Sequence, residues 1–97
     1  MAQVRLRYWA ALRAAAGTSS QVVEAETLAQ ALGAARAAHA GSPRFAAVLD
    51  ICSVVVDGTP AGARDHAGIA LRDGSVVELL PPFAGGSGGA VSRPSTR

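Results

Sequence analysis

The sequence predicts an α+β domain, and three stretches carry that expectation. Residues 3–9, QVRLRYW, alternate apolar and polar side chains with the period of two that marks a half-buried strand. Residues 28–39 place Leu28, Ala31, Leu32, Ala35 and His39 at helical spacing behind a capping signal. Residues 51–58, ICSVVVDG, concentrate β-branched side chains and close on Asp57-Gly58, a pair suited to a tight hairpin turn. At 97 residues the chain is long enough for one domain, which buries somewhat over about 60% of its unfolded surface.

The elements follow in chain order. In the first strand Val4, Leu6 and Tyr8 point one way, and Arg5, Arg7 and Trp9 the other. AALRAAAG then predicts a short helical turn ending at Gly17, a residue free to take the left-handed cap. SSQVVEAE is the second strand, expected to pair with the first. Thr27 and Gln30 form a capping box at the start of the main helix, which Gly41 and Pro43 stop. Gly33 within that helix costs about 1 kcal/mol relative to Ala, and its expected compensation is a close approach of helix to sheet. SPRFAAVLD reads as a short second helix or an irregular turn. ICSVVVDG is the third strand, TPAGARDHAGIAL is turn-rich, and Arg72-Asp73-Gly74 is a further turn. In the last strand, SVVELL, Val77 and Leu79 face one way and Val76, Glu78 and Leu80 the other.

Composition changes abruptly after Leu80. Pro81 and Pro82 cannot donate ladder hydrogen bonds, so they end the strand. GGSGGAVSRPSTR is too poor in large apolar groups to offset the entropy of ordering it. Three regions are expected: a folded domain over 1–80, a glycine-ended tail over 81–86, and a disordered extension over 87–97.

Charge and reactive side chains exclude several classes of function. All nine basic residues are Arg, and two of them, Arg93 and Arg97, lie beyond the glycines, which leaves residues 1–86 formally neutral. The remaining Arg residues are scattered, without the clustered positive face that nucleic acid demands, so no nucleic-acid partner is expected. A single cysteine, Cys52, rules out an internal disulfide and any multi-Cys metal site; with only His39 and His66 beside it, no metal is expected. A cytoplasmic location with no membrane partner is expected, since neither a signal pattern nor an apolar run of about 18 residues is present. Cys52 itself reads as a small core hydrophobe, and Asp65-His66 as a solvated turn. The glycines at 85, 86, 88 and 89 lack the preceding strand, following helix and Lys of a phosphate cradle.

The chemistry that remains belongs to the main chain. Were the chain to end at Gly86, its main-chain carboxylate, with an ordinary pKa of about 3.3 to 3.7, would be ionised at neutral pH and no electrophile, so something else would have to activate it. Residues 81–86 reach at most about 20 Å when extended, enough to enter a cleft. Gly85 and Gly86 carry no Cβ, so a narrow channel can close around them, and the prolines stiffen the root.

On the opening VRLRYWAALRAAAG, the Asp73-Gly74 turn and the segment LLPPFAGG, the sequence resembles the ubiquitin-like sulfur carriers of the MoaD/ThiS family over residues 4–86. The Pro-Pro before the diglycine and RFAAVLD make it most similar to the small subunit of molybdopterin synthase. The resemblance implies a β-grasp fold, a mixed sheet wrapped on one main helix. It also implies a mechanism in which an E1-like adenylyltransferase uses ATP to adenylate the Gly86 carboxylate, after which sulfur displaces AMP to give a thiocarboxylate. The carrier binds no cofactor and catalyses nothing itself. Gly86 maps to the reacting residue and Gly85 to its neighbour, and the molybdopterin synthase large subunit is the implied recipient of the tail. Strand parity leaves Trp9, Val76 and Leu80 outward, and with Pro81, Pro82 and Phe83 these form the expected partner-binding surface. Carriers ready for adenylation end at the diglycine, whereas this chain continues from Ser87 to Arg97, so a processing protease is a further implied partner. Sulfur delivery toward thiamine, cysteine or a secondary metabolite fits the same tail, and a ubiquitin-like binding module that never activates it is the alternative from another class.

Overall fold

The computed structural model of the chain describes residues 2–82. Phe83, Gly85, Gly86 and the 87–97 extension lie outside the described residues. Five strands, β1 (Ala2–Tyr8), β2 (Ser20–Ala25), β3 (Ser53–Val56), β4 (Thr59–Pro60) and β5 (Val76–Leu80), form one sheet in the order β2-β1-β5-β3-β4. β1 runs antiparallel to β2 and parallel to β5, while β3 is antiparallel to both β5 and β4. Three helices complete the fold: α1 (Ala10–Ala16), α2 (Leu28–Ala38) and α3 (Pro43–Asp50).

Alternation along the strands decides which face meets the helices. Val4, Leu6 and Tyr8 of β1 and Val77 and Leu79 of β5 are buried, as their parity requires. They pack in one core with Leu12 of α1, Leu28, Ala31, Leu32 and Ala35 of α2, and Phe45 and Leu49 of α3. The expected main-helix face is therefore the observed one, with His39 half-buried at its end. Because the core is short of aromatics, the few it has are concentrated. Tyr8 meets Phe45 edge-on at 5.5 Å, and Phe45 stacks on His39 at 4.1 Å between ring centroids.

Capping chemistry sets the helix ends. Gly17 closes α1 at φ 76°. Thr27 Oγ1 accepts from the Gln30 amide at 3.2 Å, and the Gln30 side chain reaches back to accept from the Glu26 amide at 2.8 Å. Between the two readings of residues 42–50, the structure takes the helix: Ser42 Oγ accepts from the Phe45 amide at 3.1 Å and Pro43 occupies the first turn.

The β3–β4 turn holds the sheet together at its other end. Asp57 and Gly58 both have positive φ, 49° and 84°, the backbone of a two-residue hairpin turn. The Asp57 carboxylate accepts from the Val76 amide at 2.8 Å and from the Ser75 hydroxyl at 3.1 Å, so the turn is tied to the first residue of β5. Nearby, Asp73 Oδ1 accepts from the Gln3 amide at 2.7 Å, which sets β1 against the turn that enters β5.

Two sequence expectations are corrected and a third is filled in. Gly33 does not permit close packing: it is exposed, and a Cβ built on it meets nothing within 4 Å. The third strand starts at Ser53 rather than Ile51, because α3 runs to Asp50 and Ile51 caps it. The turn-rich stretch contains the two-residue strand β4 and a 3-10 turn at His66–Gly68.

Two outcomes follow from this packing. Gly33→Ala should raise stability by about 1 kcal/mol in denaturant unfolding, since the helix gains propensity and nothing is crowded. Burial pushes the Tyr8 phenol up to about 12. Tyr8 is the only tyrosine, so absorbance at alkaline pH reads it alone. Its contribution to stability should be complete below the unfolded value of about 10 and fall as pH rises from there through about 12, because the unfolded chain loses that proton first.

Candidate functional site

The C-terminal tail leaves the domain from β5, and the surroundings of that strand define the site. β5 lies inside the sheet, with β1 on one side and β3 on the other. The register sets Leu79 beside Tyr8 and Val54, and Leu80 beside Ser53. The last residue before the prolines is thus held by its neighbours on the helix-free face.

On that outer face three rows of side chains can be read from the pairing. Val22, Arg5 and Val76 lie abreast, followed by Ser20, Arg7, Glu78, Val55 and Pro60, and then Leu80 and Ser53. Val76 and Leu80 are half-buried, Val22 is 51% exposed, and Trp9, just past β1, is 37% exposed. The face is apolar with charges set into it. Arg7 reaches Glu78 at 3.9 Å and carries its guanidinium 5.0 Å from the centre of the Trp9 ring, an arrangement that favours the indole's outward position. Both charges of the pair are partly open to water, so the pair contributes little to stability. A shallow depression of about 340 Å³ opens at the start of β5 between Arg5, Val22, Asp73 and Val76.

The structure therefore brings Trp9, Val76 and Leu80 onto one face, and it separates the two prolines. Pro82 is exposed, but Pro81 is buried. Pro81 was expected on the docking surface; instead the alternation of β5 continues past its last hydrogen-bonded residue, so Pro81 follows Val77 and Leu79 inward and Pro82 follows Leu80 outward. Phe83, Gly85 and Gly86 lie outside the described residues.

The other candidate groups stay apart. Cys52 is half-buried against the core, its thiol donating to the Val48 carbonyl at 3.3 Å, and burial pushes it up to about 11. This is the environment of a packing residue and not of a nucleophile. His39 Nε2 is bonded at 3.1 Å to Gln21 Oε1, which also accepts from the Tyr8 hydroxyl at 2.8 Å. Since that oxygen only accepts, His39 must be the donor. Among the described residues no group of three His, Cys, Asp or Glu side chains could hold a metal ion, and no helix is long and apolar enough to cross a membrane. Sequence reasoning missed Ile51, which is 61% exposed. A β-branched residue before SVVV carries a strand signal, and only the length of α3 moves it to a corner.

Comparison with known proteins agrees with this architecture. A model of the ThiS family matches residues 6–86. The small archaeal modifier protein SAMP1 of Methanosarcina acetivorans superposes with a TM-score of 0.73 at 22% identity, over 89% of this chain and 98% of that one. SAMP1 of Haloferax volcanii gives 0.71 at 26% identity, over 87% and 99%. A complex of subunits 1 and 2 of the molybdopterin-converting factor of Helicobacter pylori gives 0.59 at 23% identity, over 87% and 99%. No curated protein matches the sequence. The fold is the ubiquitin-like β-grasp.

The packing of Cys52 has a measurable consequence. Its alkylation by iodoacetamide at pH 8 should run roughly 100-fold slower than that of an unburied thiol, and should climb with pH toward about 11. A rate equal to that of free cysteine would show that the thiol is not held in the core.

Proposed function

Because the chain belongs to the ThiS family, whose model matches it from residue 6 to residue 86, we propose that it is a sulfur carrier in which the Gly86 carboxyl is the reacting group. The observation that carries the reading is where that match stops, at the second glycine of LLPPFAGG. The domain supplies no catalytic side chain to the reaction; it supplies a root from which a main-chain arm projects.

The sequence of steps starts with hydrolysis of the Gly86–Ser87 peptide bond by a processing protease, which removes residues 87–97 and frees the carboxylate. On an E1-like adenylyltransferase that carboxylate attacks the α-phosphorus of ATP, and pyrophosphate leaves. The mixed anhydride is an electrophile where the carboxylate was not. A sulfur donor at the sulfide level then attacks the acyl carbon, AMP departs, and Gly86 ends in a thiocarboxylate. When the sulfur passes to an acceptor, water returns the oxygen and the carboxylate is restored. Two glycines at the tip let both partners close on the main chain, and the band of Trp9, Val76 and Leu80, with Pro82 and Phe83 beyond it, is the surface each must grip.

The acceptor we favour is the pterin precursor of the molybdenum cofactor, with the large subunit of molybdopterin synthase as the receiving partner. The Pro-Pro-Phe-Ala-Gly-Gly ending and the likeness to the subunit 1 and 2 complex support this. The likeness to SAMP1 supports a second use of the same activated carboxyl, attachment to an amine of another protein. The chain has no Lys, so it cannot build lysine-linked chains on itself.

Intact-mass measurement of the protein from its native cell tests the proposal. Truncation at Gly86 with one oxygen replaced by sulfur is the expected species, and co-purification with a molybdopterin synthase large subunit is expected with it. Covalent conjugates to other proteins would favour the modifier reading. A stable full-length form under all growth conditions would overturn both.

A further inference from the structure

The root of the tail is flanked on its second side by a group no sequence reading assigned. Ile51 caps α3, its amide bonded to the Val48 carbonyl at 3.2 Å, and stands two residues before Ser53, which pairs with Leu80. On the opposite side Tyr8 pairs with Leu79, so Trp9 continues β1 past the same level. β5 thus ends between β1, which Trp9 continues, and β3, which Ile51 precedes by two residues, and these flanking strands are about 10 Å apart, two strand spacings.

A lone exposed apolar residue needs no explanation, but the length of the arm gives this pair a consequence. Four residues, 83–86, separate Pro82 from the reacting carboxyl, and they reach at most about 14 Å. An enzyme that encloses Gly86 together with a nucleotide must bring the mouth of its cleft within that distance of Pro82. Its rim then meets whatever borders the root. Each side offers an apolar anchor next to a satisfied charge: Arg7 lies over the Trp9 ring, and Asp50, beside Ile51, is paired with Arg36 at 2.8 Å. Apolar contacts ringed by compensated polar groups are the usual anatomy of a protein interface.

We propose that Ile51 and Trp9 form a two-sided apolar collar that seats the mouth of the ATP-dependent adenylating enzyme, whose rim presents apolar side chains to both. The inference rests on the carrier reading above. It adds the α3–β3 corner to a docking surface otherwise confined to the sheet face, and it makes Ile51 a binding residue that never touches the reacting atoms.

The test uses the chain ending at Gly86, which retains all the described fold, with the E1-like adenylating enzyme encoded in the same genome and ATP–pyrophosphate exchange as readout. Ile51→Asp should raise KM for the carrier about tenfold or more with kcat nearly unchanged, Ile51→Ala should give a smaller rise, and Ile51→Leu should restore binding. Ala29→Asp, an exposed position in the first turn of α2 and away from the helix-free face of the sheet, should change KM by less than about twofold. Thermal melting of each variant should match the parent, since Ile51 is largely in water. Exchange with Ile51→Asp equal to that of the parent overturns the collar while leaving the carrier intact. Absence of exchange with the parent overturns both. Sedimentation showing a parent homodimer that Ile51→Asp dissociates would assign the collar to a second copy of this chain and overturn its role with the enzyme.

Discussion

The parallel pairing of β1 with β5 is the constraint on which the other features depend. Parallel neighbours cannot be joined by a tight turn, so everything between Trp9 and Ser75 serves as the connection, and the first and last strands meet inside the sheet. Backbone bonds at the entry to β5 fix this register: the Arg5 amide donates to the Ser75 carbonyl at 2.9 Å and the Gly74 amide to the Gln3 carbonyl at 3.0 Å. With β3 on its other side, β5 has no free edge. The residues that follow Leu80 are therefore rooted in a strand paired on both sides, not in a fraying edge.

The aromatic cluster at the far end of β1 reinforces the same root. Tyr8 is the last residue of β1, and its hydroxyl, Gln21 and His39 tie β1 and β2 to the end of α2. Phe45, wedged against Tyr8 and His39, brings in α3. Two helices and two strands therefore converge one residue before Trp9. The indole projects from a rigid base, which reduces the entropy lost when a partner immobilises it.

Much of this was legible in the residues. Parity in QVRLRYW and SVVELL separated core from outer face correctly, because a period of two leaves no third option. Gly17, Thr27 with Gln30, and Asp57-Gly58 marked ends and turns through local chemistry that tertiary contacts did not override. The failures are of one kind. Gly33 was given a packing reason when its surroundings are open water, Ile51 was assigned to a strand when a helix end claims it, and Pro81 was set outside when the alternation carries it in. In each case the residue type was read without the extent of the element around it: how far α3 runs, how far the β5 alternation carries, and which side of α2 meets the sheet.

What the sequence by itself determined is local: strand parity, caps, turn types, and a proline-glycine ending whose only chemistry is that of the main chain. Those depend on side-chain size, backbone freedom and hydrogen-bonding groups within a few residues of each other. The tertiary structure alone decided that β5 lies between β1 and β3 and that the residues just past β1 and just before β3 come to the same end of it. Both are consequences of strand order, and strand order is a competition among distant pairings that no local pattern records.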